Sequence, residues 1–236
     1  MPEISPEPVN FVSVYPAWNN RNLRNLAPKT RTGCMVAHVR AATVGDISES
    51  NCHPFQYGNL LAMHNGGIEE FSKIKRHIRN QLSDPLYNWI KGQTDSEHLF
   101  AHLFNHLTTN YSEVTAEAVV SSFEHLFSFV RKSLKEYSIE EPAYFNMLVT
   151  DGHFMVGTRY VTDPNEEALT LYHSEGSRYV VEDGITKMEA PQDDDETVMI
   201  VSEKLTDDKY WTMVPRNHFV IVDKNHNVSV RPIAEG

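Results

Sequence analysis

The spacing of hydrophobic positions along this chain changes once, near Pro142. Before Pro142, apolar residues recur at three- and four-residue intervals over residues 69–82 and 113–137, which predicts two amphipathic helices. A further helix is expected to begin at Thr94, because Thr94-Asp95-Ser96-Glu97 has the form of a capping box ahead of an apolar run. A short helix over residues 20–27 is expected to end at Pro28.

Strands are expected on both sides of this helical region. Asp151-Gly152 is a strong hairpin signal between two alternating segments. A last hairpin is expected to turn near Asn225 and to end at Val230. The remaining apolar stretches predict strands at residues 11–14, 34–41, 59–64, 144–150, 153–160, 169–173, 178–182, 197–202 and 219–223.

This order of elements predicts an α+β fold with antiparallel sheets, because helices and strands do not alternate as they do around a parallel sheet. The length of 236 residues suits one large domain or two small ones. No linker or internal repeat is evident, so one domain over residues 11–236 is the simpler interpretation. Residues 1–10, which are acidic and rich in proline, are expected to form a disordered or extended lead-in.

Composition excludes several classes of function. The apolar content of 40% and charged content of 22% are those of an ordinary soluble globule, and the net charge of -11 argues against a nucleic-acid surface. No apolar run is long enough for a transmembrane helix, and no positive leader with an apolar run begins the chain. The two cysteines imply no disulfide framework, so a cytoplasmic location is expected.

Candidate chemistry is concentrated between residues 38 and 68. The predicted strand 34–41 would place Val36, His38 and Arg40 on one face. Arg40 alone is most simply a residue on a solvated sheet face. Alternatively, its planar guanidinium could form a bidentate pair with a substrate carboxylate.

Two other positions also admit two interpretations. Asn65-Gly66 after an apolar strand is by default a hairpin turn, but Gly67 and a predicted helix follow. The alternative is an oxyanion hole made of the asparagine amide and the glycine N–H. Asp95, in the first turn of a helix, is favoured by the macrodipole without any function, yet it could accept a substrate ammonium group.

In this order and spacing, these motifs are similar to the class II glutamine amidotransferase domain, a member of the N-terminal-nucleophile hydrolases. In detail they resemble the amidotransferase-like subunit of the fungal glutathione-degradation complex and its bacterial relatives. The resemblance runs from about Val12 to the C-terminus. The segments that carry it are Pro16-Ala17-Trp18-Asn19-Asn20, residues 38–45, 51–55, 64–68 and 92–97, and Val201-Ser202-Glu203-Lys204-Leu205.

The resemblance implies how a substrate is held. Arg40 would bind the α-carboxylate of glutamine or of a γ-glutamyl group, and Thr43 would add a hydroxyl donor. Asp95 would hold the α-ammonium group. Ala41 and Val44 stand where many members of the family carry bulkier or polar residues, so the fit of the pocket differs at those two points.

The resemblance also implies the chemistry and the fold. Asn65 and Gly66 would form the oxyanion hole, and His53 and His64 would line and stiffen the site. No cofactor and no metal are implied. The fold would be a four-layer αββα sandwich in which helices cover two facing antiparallel sheets.

The resemblance requires a cysteine nucleophile directly after the initiator methionine, and this sequence has Pro2 there. The family uses the thiolate of an N-terminal cysteine, with its own free α-amino group as the base, to form a thioester with the γ-carbon. Here Met1 is followed by Pro2, and neither Cys34 nor Cys52 can offer a free α-amine. The sequence is therefore interpreted as a truncated member of the family, with a non-catalytic paralogue as the alternative, and is expected to lack glutaminase activity as it stands.

Truncation would also remove N-terminal strands that the family carries before the Pro-Ala-Trp-Asn-Asn segment, leaving an unpaired edge near residues 11–14 or 34–41. The function implied is hydrolysis of a γ-glutamyl amide, either glutamine or the γ-glutamyl bond of glutathione. The alternative is a binding or regulatory subunit that holds γ-glutamyl ligands without turnover. A metallopeptidase-type protein subunit is the partner that the resemblance suggests.

One further pattern has a metal-binding alternative. His98, His102 and His106 recur at four-residue spacing on the predicted second helix, as the ligands of a transition metal can. No obvious carboxylate or cysteine ligand is nearby. The sequence therefore favours histidines that lie along the flank of a buried helix face.

Overall fold

The structure is a computed structural model that describes residues 7–39, 48–190, 197–207 and 209–234. Ten strands and five α-helices are found in these ranges. The helices are α1 (Arg21–Leu26), α2 (Phe71–Asn80), α3 (Asp84–Trp89), α4 (Asp95–Asn110) and α5 (Ala116–Glu136). The strands are β1 (Phe55–Tyr57), β2 (Leu60–Gly67), β3 (Tyr144–Thr150), β4 (Met155–Val161), β5 (Tyr172–Glu182), β6 (Ile185–Glu189), β7 (Thr197–Val201), β8 (Thr212–Met213), β9 (His218–Val222) and β10 (Val228–Pro232).

The strands form two antiparallel sheets. The first sheet has six strands in the order β1-β2-β3-β4-β9-β10. The second has the order β6-β5-β7, and β8 also pairs with β5. Neighbours along the chain are mostly neighbours in the sheets, as short hairpin connections favour.

Side-chain caps begin three of the helices. The side chains of Asn20, Thr94 and Thr115 accept hydrogen bonds from the backbone N–H three residues later, at 3.0 Å, 3.2 Å and 3.2 Å. These bonds satisfy N–H groups that have no partner inside the helix. The predicted start of α4 at Thr94 is thus confirmed.

The main hydrophobic core lies between the helices and one face of the first sheet. In this core, Phe127 on α5 stacks on Tyr160 of β4 with ring centroids 4.2 Å apart, and Phe145 of β3 is fully buried beside them. Because side chains alternate along a strand, the neighbours of Phe145 point to the opposite face of the sheet. That opposite face holds the candidate site.

The two sheets face each other across a smaller apolar cluster. Leu171, Val214 and Val220 are buried in it. A Cβ placed on Gly157 of β4 would lie 3.7 Å from the side chain of Ile200 in β7, so the sheets are in contact there. The predicted α+β sandwich with facing antiparallel sheets is confirmed.

The strands predicted at residues 11–14 and 34–41 are wrong wherever the structure describes them. Residues 11–14 and 34–39 have no strand structure, and 40–41 lie outside the described residues. Met35 and Val39 are 75% and 78% exposed. An alternating pattern becomes a strand only when a neighbouring strand pairs with its backbone, and none does so here among the described residues.

Two other expectations need correction. The strands predicted at 169–173 and 178–182 belong to one long strand, β5, whose pairing with β7 is irregular between Ser174 and Ser177. The capping box is only half formed, because the Glu97 carboxylate accepts from the N–H groups of Lys91 and Gly92 at 2.7 Å. No helix within the described ranges combines the length and apolar character that a membrane crossing requires.

Candidate functional site

The candidate site lies where β2 ends, and Gly66 fixes the backbone there. The φ angle of Gly66 is +143°, which side chains of L-residues rarely allow. A Cβ at this position would also collide with the carbonyl oxygen of Tyr144 on β3. Asn65, the residue before it, is exposed on the face of the sheet that points away from the helices. Asn65-Gly66 therefore lies at the end of a strand paired with β3 and is not a hairpin turn.

Asp95 reaches this strand end from the first turn of α4. Its Oδ2 accepts a hydrogen bond from the backbone N–H of Ile68 at 2.9 Å, and its Oδ1 accepts from the N–H of Ser96 at 2.8 Å. Oδ2 would also lie 3.2 Å from a Cβ placed on Gly67. Asp95 thus lies at the end of β2, just beyond the Asn-Gly segment, and its role in binding a ligand stays a prediction.

His64 supports the site from the helix side of the sheet. Its Nε2–H donates to the carbonyl oxygen of Tyr144 at 3.0 Å, and its Nδ1 accepts from the Ser96 hydroxyl at 2.9 Å. Burial lowers the pKa of His64, while the nearby Asp95 carboxylate opposes that shift. The neutral imidazole with its proton on Nε2 fits both bonds. His64 is buried, and both of its ring nitrogens are held by hydrogen bonds behind Asn65.

His38 and His53 form a second pair beside β2. The Nε2 of His38 lies 3.1 Å from the carbonyl oxygen of His64, and its ring centroid is 4.2 Å from that of His53. His53 is buried and also packs edge-on against Phe55. The chain therefore reaches β2 two residues before Arg40. Arg40 itself and Thr43 lie outside the described residues.

The loop before α4 is fixed by a buried asparagine. The Oδ1 of Asn51 accepts from the backbone N–H of Gln93 at 2.9 Å. A Cβ on Gly92 would collide with that same oxygen, so the loop approaches Asn51 as closely as glycine permits. Burial raises the pKa of Glu97, and its bonds to the Lys91 and Gly92 N–H groups oppose that shift. These contacts hold the segment from which Asp95 projects.

Neither cysteine contacts the Asn-Gly segment through a hydrogen bond that the structure describes. The Sγ of Cys34 lies 3.7 Å from the hydroxyl of Thr150, at the far end of β3. The Sγ of Cys52 donates to the carbonyl oxygens of Ser13 and Ser48 at 3.7 Å and 3.5 Å.

The histidines of α4 are more deeply buried than the sequence suggested. His98 is fully buried and His102 is 5% exposed, so both belong to the helix interface and not to its flank. The ring of His125 on α5 stacks on those of His102 and His106, with centroids 5.4 Å and 4.1 Å away. Parallel stacked rings do not direct their nitrogens at one point. Within the described ranges, no group of three or more His, Cys, Asp or Glu side chains could hold a metal ion.

The arrangement at the end of β2 suits a small zwitterionic ligand. A carboxylate in the first turn of a helix, with both oxygens already accepting backbone bonds, is a fixed acceptor for an ammonium group. An asparagine amide and a glycine backbone nearby offer N–H groups for a carbonyl oxygen that gains charge. Both groups lie on elements whose positions the surrounding hydrogen bonds determine.

The sequence alone did not assign roles to three supporting groups. The Ser96 hydroxyl and the Tyr144 carbonyl fix His64, and Asn146 lies opposite Asn65 in the β2–β3 ladder. Asn146 is 7% exposed and lies on the face that carries Asn65. A polar residue within the apolar strand 144–150 was the one signal that could have drawn attention to it.

The chain resembles several known proteins over most of its length. The family described as "Glutamine amidotransferases class-II" matches residues 20–233. The Saccharomyces cerevisiae protein named "Probable glutamine amidotransferase DUG3" is 36% identical over 241 residues, which cover 97% of this chain and 67% of that protein. A glutamine–fructose-6-phosphate aminotransferase (isomerizing) of Acinetobacter baylyi is 38% identical over 74 residues, covering 31% of this chain and 11% of that protein.

The fold is also similar to a solved structure. A glutamine aminotransferase class-II domain protein from Silicibacter pomeroyi superposes with a TM-score of 0.75 at 24% sequence identity. The match covers 99% of this chain and 90% of that one. The chain thus spans about two thirds of the length of the yeast protein and a small part of the bacterial aminotransferase.

Proposed function

The chain belongs to the class II glutamine amidotransferase family, and we propose that the end of β2 is its binding site for a γ-glutamyl group. The observation that carries this proposal is the hydrogen bond of 2.9 Å from the Ile68 N–H to the Asp95 carboxylate, which holds the acid at the end of β2, two residues beyond Gly66. In this proposal Asp95 holds the α-ammonium group of the ligand. Arg40 and Thr43 bind its α-carboxylate, as their places in the family motif imply.

The same site supports an acyl-transfer reaction when a nucleophile is supplied. Asn65 and Gly66 would donate hydrogen bonds to the γ-carbonyl oxygen as a thiolate attacks the γ-carbon. Ammonia or an amine leaves with a proton, and water then hydrolyses the thioester to release glutamate. The substrate would be glutamine or, as the resemblance implies, the γ-glutamyl bond of glutathione.

An alternative is that the site binds a γ-glutamyl ligand without turnover. The two cysteines contact Thr150 and the backbone of Ser13 and Ser48, and neither is hydrogen-bonded to Asn65 or Gly66 in the part of the chain that the structure describes. A γ-glutamyl-binding or regulatory subunit is therefore the second candidate function. No glutamate is expected to be released from glutamine or glutathione by the purified chain. Release that is undiminished when both cysteines are changed to alanine would contradict this.

Calorimetry with L-glutamine and with glutathione tests the binding site directly. The wild-type chain is expected to bind at least one of the two, and Arg40→Ala to weaken that binding at least tenfold, because a bidentate bond to the ligand carboxylate is lost. Arg76→Ala, on the exposed side of α2, is the matched control and is expected to leave binding unchanged. Binding that survives the loss of Arg40 would contradict the assigned contact.

The proposal also extends to a partner and a compartment. Several large apolar side chains in the first forty residues are exposed, among them Tyr15 at 70% and Trp18 at 76%. Such a surface supports association with another protein, and a metallopeptidase-type subunit is the partner that the resemblance suggests. Cys34 and Cys52 are both thiols, which supports a cytoplasmic location. Co-purification with such a subunit tests the partner, and Trp18→Ser is expected to abolish it. Cell fractionation tests the location.

A further inference from the structure

Asn146 lies directly opposite Asn65 in the ladder between β3 and β2. Residues that face each other in an antiparallel pair project to the same side of the sheet, with Cβ atoms roughly 4.5–5.5 Å apart. Their neighbours His64 and Phe145 project to the other side, where their rings stack 5.6 Å apart. Two carboxamides therefore stand side by side on the face that carries the proposed γ-glutamyl site.

The Asn146 amide has one orientation. Its Nδ2 donates to the carbonyl oxygen of Thr170 at 2.7 Å, and the reverse assignment would place two oxygen atoms in contact. The Asn146 side-chain oxygen, Oδ1, therefore points away from Thr170. This atom is buried and has no hydrogen-bond partner in the part of the chain that the structure describes. Buried acceptors without a partner are uncommon in native proteins.

The Asn65 amide has N–H groups that could donate to such an acceptor. Its side chain is exposed and makes no hydrogen bond to another described residue. A carboxamide carries two N–H groups. An oxyanion hole uses one of them, so the second is available to another acceptor.

We propose that Asn146 is a positioning residue for Asn65: when a γ-glutamyl ligand is bound, the Oδ1 of Asn146 accepts one N–H of the Asn65 amide and the other N–H donates to the γ-carbonyl oxygen. This inference rests on the proposed function of the site. Oδ1 is covered from solvent and Asn65 stands directly opposite Asn146 on the same face of the sheet, so the Asn65 amide, and not the ligand, is the partner that we assign to it. A hydrogen bond to one N–H fixes the direction of the other and strengthens it as a donor.

Thr170, which holds the Asn146 amide, is itself held by a hydrogen bond. Thr170 accepts the Asn146 amide through its backbone oxygen, and its own hydroxyl donates to the carbonyl oxygen of Ser202 at 2.9 Å. Ser202 directly follows β7 and belongs to the Val-Ser-Glu-Lys-Leu segment, residues 201–205, that the sequence analysis singled out. The carboxamide that positions Asn65 is thus tied to the second sheet, which prevents its own rotation.

A double-mutant cycle with L-glutamine binding tests the inference. Asn146→Ala is expected to raise the dissociation constant about fivefold in the wild-type background, as loss of one neutral hydrogen bond does. In the Asn65→Ala background the same change is expected to have no further effect, because Asn146 acts through Asn65. Losses that add in the double variant would overturn the inference, since a merely structural role for Asn146 does not depend on Asn65.

Thr170→Val is the matched control. It removes the bond to Ser202 and loosens the same region, but it leaves the backbone oxygen that Asn146 contacts. Its effect on affinity is expected to be small and unrelated to Asn65. An equal loss of affinity in Thr170→Val would overturn the inference by showing that general loosening is sufficient.

A measurement on the wild-type chain avoids any folding defect of the variants. Both side-chain N–H protons of Asn65 are expected to shift downfield in the ¹⁵N–¹H spectrum on adding L-glutamine, because each gains an acceptor. A shift of one proton alone would overturn the inference while leaving the binding site intact. Absence of any binding to the wild-type chain would overturn the proposed function, and this inference with it.

Discussion

His64 on β2 and Ser96 in the first turn of α4 share a hydrogen bond of 2.9 Å that joins the sheet to the helix behind the candidate site. Ser96 is the residue after Asp95, and His64 is the residue before Asn65. The bond therefore sets the position of the helical acid relative to the strand amide. Both partners are buried, so water does not compete for it.

Ser96→Ala tests how much this bond contributes. Removing the hydroxyl leaves the buried Nδ1 of His64 without its partner, which is expected to lower the free energy of unfolding by about 1–3 kcal/mol. Urea denaturation measures the change. Ser133→Ala is the matched control, because that buried serine on α5 donates only to the Phe129 carbonyl of its own helix, at 2.9 Å. A cost no larger than that of the control would contradict the role given to Ser96.

Gly66→Ala tests the close approach of β2 and β3. The new Cβ would collide with the Tyr144 carbonyl at a φ angle of +143°, so we expect a loss of about 3 kcal/mol or more in the free energy of unfolding. Gly152→Ala is the control, because its φ angle is +91° but nothing lies within 4 Å of its added Cβ. The control is expected to cost about 1–2 kcal/mol, which is the backbone effect alone. Equal losses in thermal or urea denaturation would show that the contact with Tyr144 has no effect of its own.

Much of the fold between residues 55 and 161 could be predicted because its periodicity lies within each element. α4 begins where the Thr94 cap predicts, and β3 has the predicted bounds of 144–150. The segment 34–41 shows the limit of the same reasoning. It has the alternation of a strand, but strand formation depends on a neighbouring backbone that the local sequence does not specify.

The sequence also indicated which residues to examine as a site. Asn65, Gly66 and Asp95 were singled out because motif order and spacing mark them, and the structure places Asp95 against Gly67 and Ile68 at the end of the same strand. Asn146 and Ser96 could not be assigned roles, since their contacts depend on the register of β2 against β3 and on the rotation of α4. Such relationships arise between elements distant in sequence and leave no local pattern.

N-acetyl-L-glutamine tests the assignment of Asp95 to the ligand ammonium. Acetylation removes the positive charge, so the wild-type chain is expected to bind this compound at least tenfold more weakly than L-glutamine. Asp95→Asn is expected to weaken L-glutamine binding and to remove most of this preference. Calorimetry measures both.

Asp84→Asn is the control for Asp95→Asn, because Asp84 is also an acid in the first turn of a helix, α3, where it too interacts favourably with the helix dipole. It is expected to bind L-glutamine as the wild type does. If Asp95→Asn kept wild-type affinity for L-glutamine, the ammonium contact would be wrong whatever its effect on stability.

The buried histidines of α4 make the stability of the fold sensitive to acid. Burial lowers the pKa of His98 to about 4, although its bond to the Thr94 carbonyl opposes this. Burial, and then the neighbouring His125, His106 and His77, lower the pKa of His102 to about 3. In the unfolded chain both side chains would have the ordinary histidine pKa of 6.5. The unfolded state therefore takes up protons first, and acid favours unfolding.

His102→Gln tests this dependence. Between pH 6 and pH 4 each such histidine is expected to reduce the free energy of unfolding by up to about 1.4 kcal/mol per pH unit, and the variant removes the contribution of His102. The variant should thus lose stability less steeply as the pH falls, even if it is less stable at pH 7 because packing against Phe129 changes. His153→Gln, at an exposed position in the β3–β4 turn, is the control and should keep the wild-type slope. An unchanged slope in His102→Gln, measured by urea denaturation at several pH values, would mean that His102 is protonated in the folded protein as readily as in the unfolded chain.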